Sequence, residues 1–307
     1  MMPARSPNPE YGPGMDDTDL RTTARRLRDL IEPLAGNVYF APEVHAAFEG
    51  IGFGPGRPGR TGVVAPNSEA YFVSRAACMG TVVGEVVLSA FGVFSPVVVL
   101  PSVEGGWAIA DRDTVLAGRE QGAVASLTSV LGEAPDGAAR ATELLRRMAD
   151  AGGRGEGHAL YAGLRSLGWP GTPVGDLWRA ADLVREHRGD SHIASWCSHD
   201  LDAVEICLLT DGWLGTPMPS ASRSRGWSDE DFTAGLDRLR SRGLVEGDDL
   251  TEAGRAQRES VEWVTDQQER RIIEALGDDA EELFAILLPW DEAIVAVKGY
   301  PYLPDRP

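Results

Sequence analysis

Lysine is almost missing from this sequence. Of its 29 basic residues only Lys298 is a lysine, and the 29 face 47 acidic residues, giving a net charge of −18. Such a chain repels a phosphate backbone unless its arginines gather on one face, so DNA is not the expected ligand. The arginine bias itself reads as GC-rich coding and carries no chemistry. Cysteine is scarce too. Cys78, Cys197 and Cys207 are odd in number and lack disulfide-framework or zinc spacing, which argues against a stapled secreted fold and suits a reducing cytosol. No run approaches the roughly 20 apolar residues of a membrane span. Residues 1–18 are rich in Pro, Gly and Asp without the apolar centre of a signal peptide, so they read as a disordered lead-in and the expected location is the cytoplasm.

Phosphate-binding and metal signatures are lacking as well. Gly54-Pro55-Gly56 has no P-loop lysine, and proline removes amides that a phosphate needs. His192 and His199 lie seven residues apart, roughly 10.5 Å along a helix, too far for a paired metal site. Ser198, His199 and Asp200 are consecutive and point in different directions on a helix, so they form no triad among themselves. Neither a metal nor a cofactor is implied.

What the sequence does contain is helical periodicity. Apolar residues return every three or four positions over 20–34, 112–131, 138–148, 174–187 and 190–209, which predicts a mainly α protein. Strand-like alternation is confined to short stretches such as Val103–Ala110 and Leu244–Leu250, each set between helices like a wing. At 307 residues there is room for two domains.

The order of motifs suggests that these domains are related. Asp29–Tyr39 (DLIEPLAGNVY) aligns with Asp182–His192 (DLVREHRGDSH), and Ala117–Gln121 (AGREQ) with Ala253–Gln257 (AGRAQ). Phe94-Ser95-Pro96 and Trp227-Ser228-Asp229 each open a helix, with Ser as N-cap and Pro or Asp in the first turn. Three matches in one order predict two pseudo-repeated winged-helix-like units with small β-wings. They would span residues 19–150 and 157–299, joined through AGGRGE at 151–156, with a tail at 300–307. A longer first-unit loop, Gly52–Asn67, absorbs the change in spacing.

The stretch Trp227–Glu246 followed by Leu250-Thr251-Glu252-Ala253-Gly254-Arg255 resembles the second half of a MarR-type winged helix, in which a recognition helix ends at Gly, a strand enters the wing and a Leu-Thr-x-x-Gly turn begins the next helix. With Val38–Glu43, Arg185–His192 and Arg225–Ser228, the chain as a whole resembles an actinobacterial helix-turn-helix family. The resemblance implies a fold and leaves function to the residues.

Those residues do not favour DNA. Asp229, Glu230 and Asp231 occupy the first turn of the recognition-like helix and Glu246, Asp248 and Asp249 the wing, where a DNA reader carries basic groups. Arg238, Arg240 and Arg242 sit at the far end of that helix, which leaves Arg223 and Arg225 for phosphate contact.

Polar chemistry concentrates instead where the second unit departs from the first. His187, Arg188, Asp190 and His192 replace Leu34, Ala35, Asn37 and Tyr39. In a bland reading, Gly189 stops one helix, Asp190 caps the next and His187 complements a helix C-terminus. In a functional reading, His187, His192 and Asp190 are acid-base groups, and Arg188, Glu186, Tyr39, Trp196 and His199 line a ligand cleft between the units. Tyr39, Phe40, Tyr71, Phe72, Trp178, Trp196 and Trp227 serve equally as core or pocket wall, and Glu85 as a buried carboxylate or a helix edge.

The leading expectation is a protein that binds a small organic molecule on a duplicated winged-helix scaffold no longer used for DNA. The alternatives are an acid-base enzyme of secondary metabolism (elimination, cyclisation or hydrolysis) and a ligand-responsive transcriptional regulator. Whether a reaction is catalysed, and whether the chain forms a homodimer, stay open at this point.

Overall fold

The computed structural model describes residues 15–59 and 62–301, and it is mainly helical. The expected lead-in lies outside the described residues up to residue 14. Beyond it the chain is already ordered: Asp16 caps α1 (Asp17–Gly36) by accepting from the amides of Thr18 and Asp19. There follow α2 (Pro42–Ile51), a two-residue hairpin β1 (Arg57–Pro58) and β2 (Val64–Ala65), α3 (Ser68–Ala76), α4 (Gly84–Phe91), α5 (Pro96–Ile109), α6 (Arg112–Leu131), α7 (Ala138–Ala151) and α8 (Ala159–Arg165). The longest helix is α9 (Pro173–Ser198), succeeded by α10 (Ala203–Trp213), α11 (Asp229–Ser241), the hairpin β3 (Val245–Glu246) and β4 (Asp249–Leu250), α12 (Glu252–Gln268), α13 (Arg270–Glu274) and α14 (Ala280–Ala296).

Among the described residues no single helix is long and apolar enough to cross a membrane. The one pair that passes by composition, α3 with its following turn and α4, is bent by 87°. Its Phe72 and Phe91 are core: both are buried and stack on one another, and Phe94, just beyond α4, packs edge-on against both. Glu85 is exposed in the first turn of α4, so the helix-edge reading holds there.

Buried apolar side chains form two clusters. The larger draws on α1 to α8, the first half of α9, α13 and α14; the smaller is built from the end of α9, α10, α11, the β3–β4 hairpin and α12. Helix α9 therefore serves both, with Trp178 in the first and Trp196 in the second.

Three local expectations are corrected. Val103–Ala110 is helix, not strand. Ser95 caps and Pro96 starts α5, and Val99, Val103 and Gly106, spaced by four and three, form its buried face against α3. No residues remain for a wing between α5 and α6, and the first hairpin falls instead within the Gly52–Asn67 loop, where Arg57 pairs with Ala65 and Pro58 with Val64. The third correction concerns Gly189 and Asp190, which neither stop nor start a helix. Helix α9 runs through both, because its opposite faces are held by α7 and α8 on one side and α1 and α12 on the other, and that packing outweighs the ~1 kcal/mol cost of an interior glycine. The break comes ten residues later, where Asp200 is left-handed (φ 52°) and Asp202 opens α10 in a capping box with Glu205.

The second hairpin falls where the sequence alternates, within Leu244–Leu250. Val245 pairs with Leu250 and Glu246 with Asp249 across a turn at Gly247. Thr251 caps α12, and Gly254 is needed because a Cβ there would stand 2.0 Å from the carbonyl oxygen of Leu244. Since the obstacle is backbone, Gly254→Ala is expected to push the hairpin off α12 and cost about 1–3 kcal/mol. Urea unfolding of the variant checks this; an unchanged midpoint would show that the close approach is dispensable.

Candidate functional site

Because α9 is continuous, the polar string on it is sorted by helical geometry. Residues 184, 185, 188, 189 and 192 share one face, and that face borders a partly open cavity of about 370 Å³ lined by α1, α9, α10 and α12 together with the Ala221–Arg225 turn. Leu27 and Ile31 of α1, Val184, Ile206, Trp213 and Ile273 give it apolar walls. Arg188, Arg258, Glu262 and Glu269 supply the convergent polar groups that ligand sites characteristically carry.

Glu262 organises the polar wall. It is buried and accepts from Arg28 Nη1 (2.8 Å), Arg188 Nη2 (2.5 Å) and Arg258 Nη1 (2.9 Å). Burial alone would raise its pKa, but Arg188, Arg258 and Arg28 hold the carboxyl well below the usual range. Arg188 Nη2 also reaches Asp266 Oδ1 (2.8 Å), and Arg25 Nε reaches Asp266 Oδ2 (2.9 Å). Burial pushes Asp266 up despite these cations.

The predicted residues divide. Arg188 and His192 line the cavity, and His192 Nδ1 lies 3.2 Å from Thr265 Oγ1. His187 and Asp190, three apart on the face toward α7 and α8, do not. His187 Nδ1 is 2.7 Å from Glu269 Oε1, and its ring stacks on that of His158 at 4.2 Å. Ser191 Oγ joins the same carboxylate (2.8 Å) to His158 Nε2 (2.9 Å), so a hydrogen-bonded chain runs from half-buried His158 to Glu269 at the cavity wall. Burial, and then the neighbouring His187, push the pKa of His158 down. Asp190 caps α8, not its own helix, by accepting from the Tyr161 amide (3.1 Å), and burial raises its pKa to about 7.

The remaining predicted residues lie away from the cavity. Glu186 is buried and chelated by Arg75 Nε (3.0 Å) and Nη2 (2.7 Å) and by Arg185 Nη1 (2.8 Å); against its burial, these cations hold its pKa down. Tyr39 accepts from Arg119 Nη2 (3.1 Å) within the larger core, where burial raises its pKa strongly. Trp196 belongs to the smaller core, and His199 ends α9 with Nε2 3.0 Å from Ser260 Oγ. Of the aromatic residues considered as pocket wall, Tyr39 and Tyr71 border a minor cavity beside α2, and none borders the larger one.

Sequence reasoning missed Arg28, Arg258, Glu262 and Glu269. A signal existed on α12: charged residues at 258, 262, 266 and 269 recur at helical spacing beside Val261 and Thr265, on the face that should be apolar.

The matching family profile is that of a helix-turn-helix family, and it covers residues 24–301. The chain belongs to that family. No curated protein and no solved structure matches it.

Proposed function

We propose that this helix-turn-helix protein binds a small organic molecule in the cavity between α1, α9, α10 and α12. The observation that carries the reading is the cavity itself: its size suits a drug-sized ligand, its walls are largely apolar, and its polar groups are fixed in advance by buried ion pairs.

DNA recognition is, in this proposal, no longer the use of the scaffold. The exposed first turn of α11 carries Asp229 and Glu230, and the wing carries Glu246, Asp248 and Asp249. Nearby arginines are engaged: Arg223 with Asp229 (2.6 Å), Arg238 with Asp202 (2.5 Å), and Arg240 with Asp237 (3.0 Å) and the Gly247 carbonyl (2.9 Å). The starts of α5 and α11 also adjoin, since Ser95 N donates to Arg225 O (2.9 Å) and Trp227 Nε1 to Val93 O (2.9 Å). Two reading helices entering successive major grooves stand about 34 Å apart.

Duplication belongs to the same reading. The runs α3, α5, α6 and α10, α11, α12 follow one order, with α3 packed on α5 and α10 on α11. Glu32 and Arg185, 153 residues apart and equivalent in the sequence repeat, meet as an ion pair at 2.8 Å, as a pseudo-twofold would require. Failure of residues 24–131 and 177–277 to superpose with common connectivity would remove this element. The enzyme alternative draws on the His158–Ser191–Glu269 chain, which links a half-buried imidazole to a carboxylate on the cavity wall.

Native mass spectrometry of protein purified from its own source is expected to show an adduct that denaturation releases. The same preparation should give no sequence-specific retardation of DNA flanking its gene at physiological salt. Absence of any adduct, or a salt-resistant sequence-dependent complex, would overturn the respective half of the proposal.

A further inference from the structure

Six arginines but only four carboxylates line the cavity of a protein whose net charge is −18. The carboxylates are already engaged. Glu262 is shared by three guanidiniums, Glu32 is taken by Arg185, Glu269 by His187 and Ser191, and Asp211 accepts from Ser220 N (2.8 Å) and Ser222 Oγ (2.5 Å).

The arginines are not all matched. Arg28, Arg188 and Arg258 use Glu262, and Arg75 and Arg185 use Glu186. Arg225 is different. Half-buried at the end of the Ala221–Arg225 turn, it lies 4.8 Å from the centre of the Phe94 ring and has no carboxylate within 4 Å among the described residues. A guanidinium partly withdrawn from water with no carboxylate partner is completed by an acceptor-rich ligand. The cavity thus keeps one guanidinium, that of Arg225, without a carboxylate partner among the described residues.

Resting on the ligand-binding reading above, we propose that the ligand is an amphipathic carboxylic acid. Its carboxylate is held by Arg225, and its hydrocarbon body lies among Leu27, Ile31, Ile206 and Trp213. A guanidinium fork matches a carboxylate in two parallel hydrogen bonds, and stacking on Phe94 keeps that fork from collapsing onto the protein's own acids. The site selects through this one charge, because the other five cavity arginines are paired with Glu262, Glu186 and Glu32.

Isothermal titration calorimetry with decanoate and 1-decanol, equal in chain length and different in charge, tests the assignment. Wild-type protein is expected to bind decanoate at least tenfold more tightly than decanol. Arg225→Gln should remove that ratio while leaving decanol affinity and the melting temperature unchanged, and Arg225→Lys should restore part of it. Equal affinity for both probes overturns the anion site and leaves the cavity reading standing. If neither probe binds although native mass spectrometry shows a released adduct, the ligand class is wrong and the cavity reading again survives. If neither probe binds and no adduct is found, both fall.

Discussion

Glu262→Gln is expected to lower the unfolding free energy by about 3–5 kcal/mol, the usual cost of breaking a buried ion pair by removing one partner. The substitution keeps the shape of the side chain but leaves Arg28, Arg188 and Arg258 facing one another around a neutral amide. Thermal unfolding followed by circular dichroism should move down by on the order of 10 °C. Glu281→Gln is the control. It removes one exposed partner of Arg26 and should cost no more than about 1 kcal/mol. The acid limb gives a second readout. Because the pKa of Glu262 is held well below its ordinary value, its contribution is present above the unfolded-state pKa and is lost as pH falls through the folded one. The variant should therefore lose less stability than wild type on acidification below about pH 4. Equal melting temperatures for wild type and Glu262→Gln would mean that the three guanidiniums find other partners.

Asp190→Asn is expected to have the opposite sign, stabilising the protein at pH 8 by on the order of 2–4 kcal/mol. Burial raises the Asp190 carboxyl from 3.8 to about 7, with the Tyr161 amide acting against that rise. A raised pKa means that the folded state retains a proton the unfolded chain has given up. The stabilising contribution is complete below about pH 4 and is lost as pH rises through about 7. Asparagine keeps an oxygen for the Tyr161 amide and carries no charge at any pH, so it escapes the loss. Urea denaturation at pH 4 and pH 8 decides: the variant should match wild type to within about 1 kcal/mol at the lower pH and exceed it at the higher. A variant less stable than wild type at pH 8 would show that the carboxylate is ionised and that its charge strengthens the cap on α8.

The corrected expectations share a cause. Stop and cap signals at Gly189 and Asp190 are locally valid, and in an exposed helix they would have been obeyed. Here His187 and Ser191 are anchored by Glu269 on one side, and Arg188 by Glu262 and Asp266 on the other, and contacts of that kind do not show in a local window. The alternation over Val103–Ala110 misled in the same way: it suits a strand, but no strand lies beside it to pair with, whereas α3 offers a helical face.

The candidate site was half legible. Contrast between the two aligned stretches, 29–39 and 182–192, pointed to Arg188 and His192, and both reach the cavity. His187 and Asp190 were singled out by the same contrast and face elsewhere, because at roughly 100° per residue His187 lies about 100° around α9 from Arg188 and Asp190 about 160° from both Arg188 and His192. Their neighbour His158, near the start of α8, lay 29 residues earlier in the chain and carried no motif of its own.

What the sequence by itself determined is what depends on near neighbours: the helical character of the chain, the full extent of α6, the Ser95 and Ser228 caps, the second wing with its Gly254, and an acidic first turn on α11. These follow from periodicity, capping and sterics within a few residues. Tertiary structure alone decided where the cavity lies, which charges pair around Glu262 and which guanidinium is left over. Apart from Arg258, one turn from Glu262 on α12, these are set by side chains more than 30 residues apart, brought together on four helices, and the burial that fixes their charge states does not exist until those helices have packed.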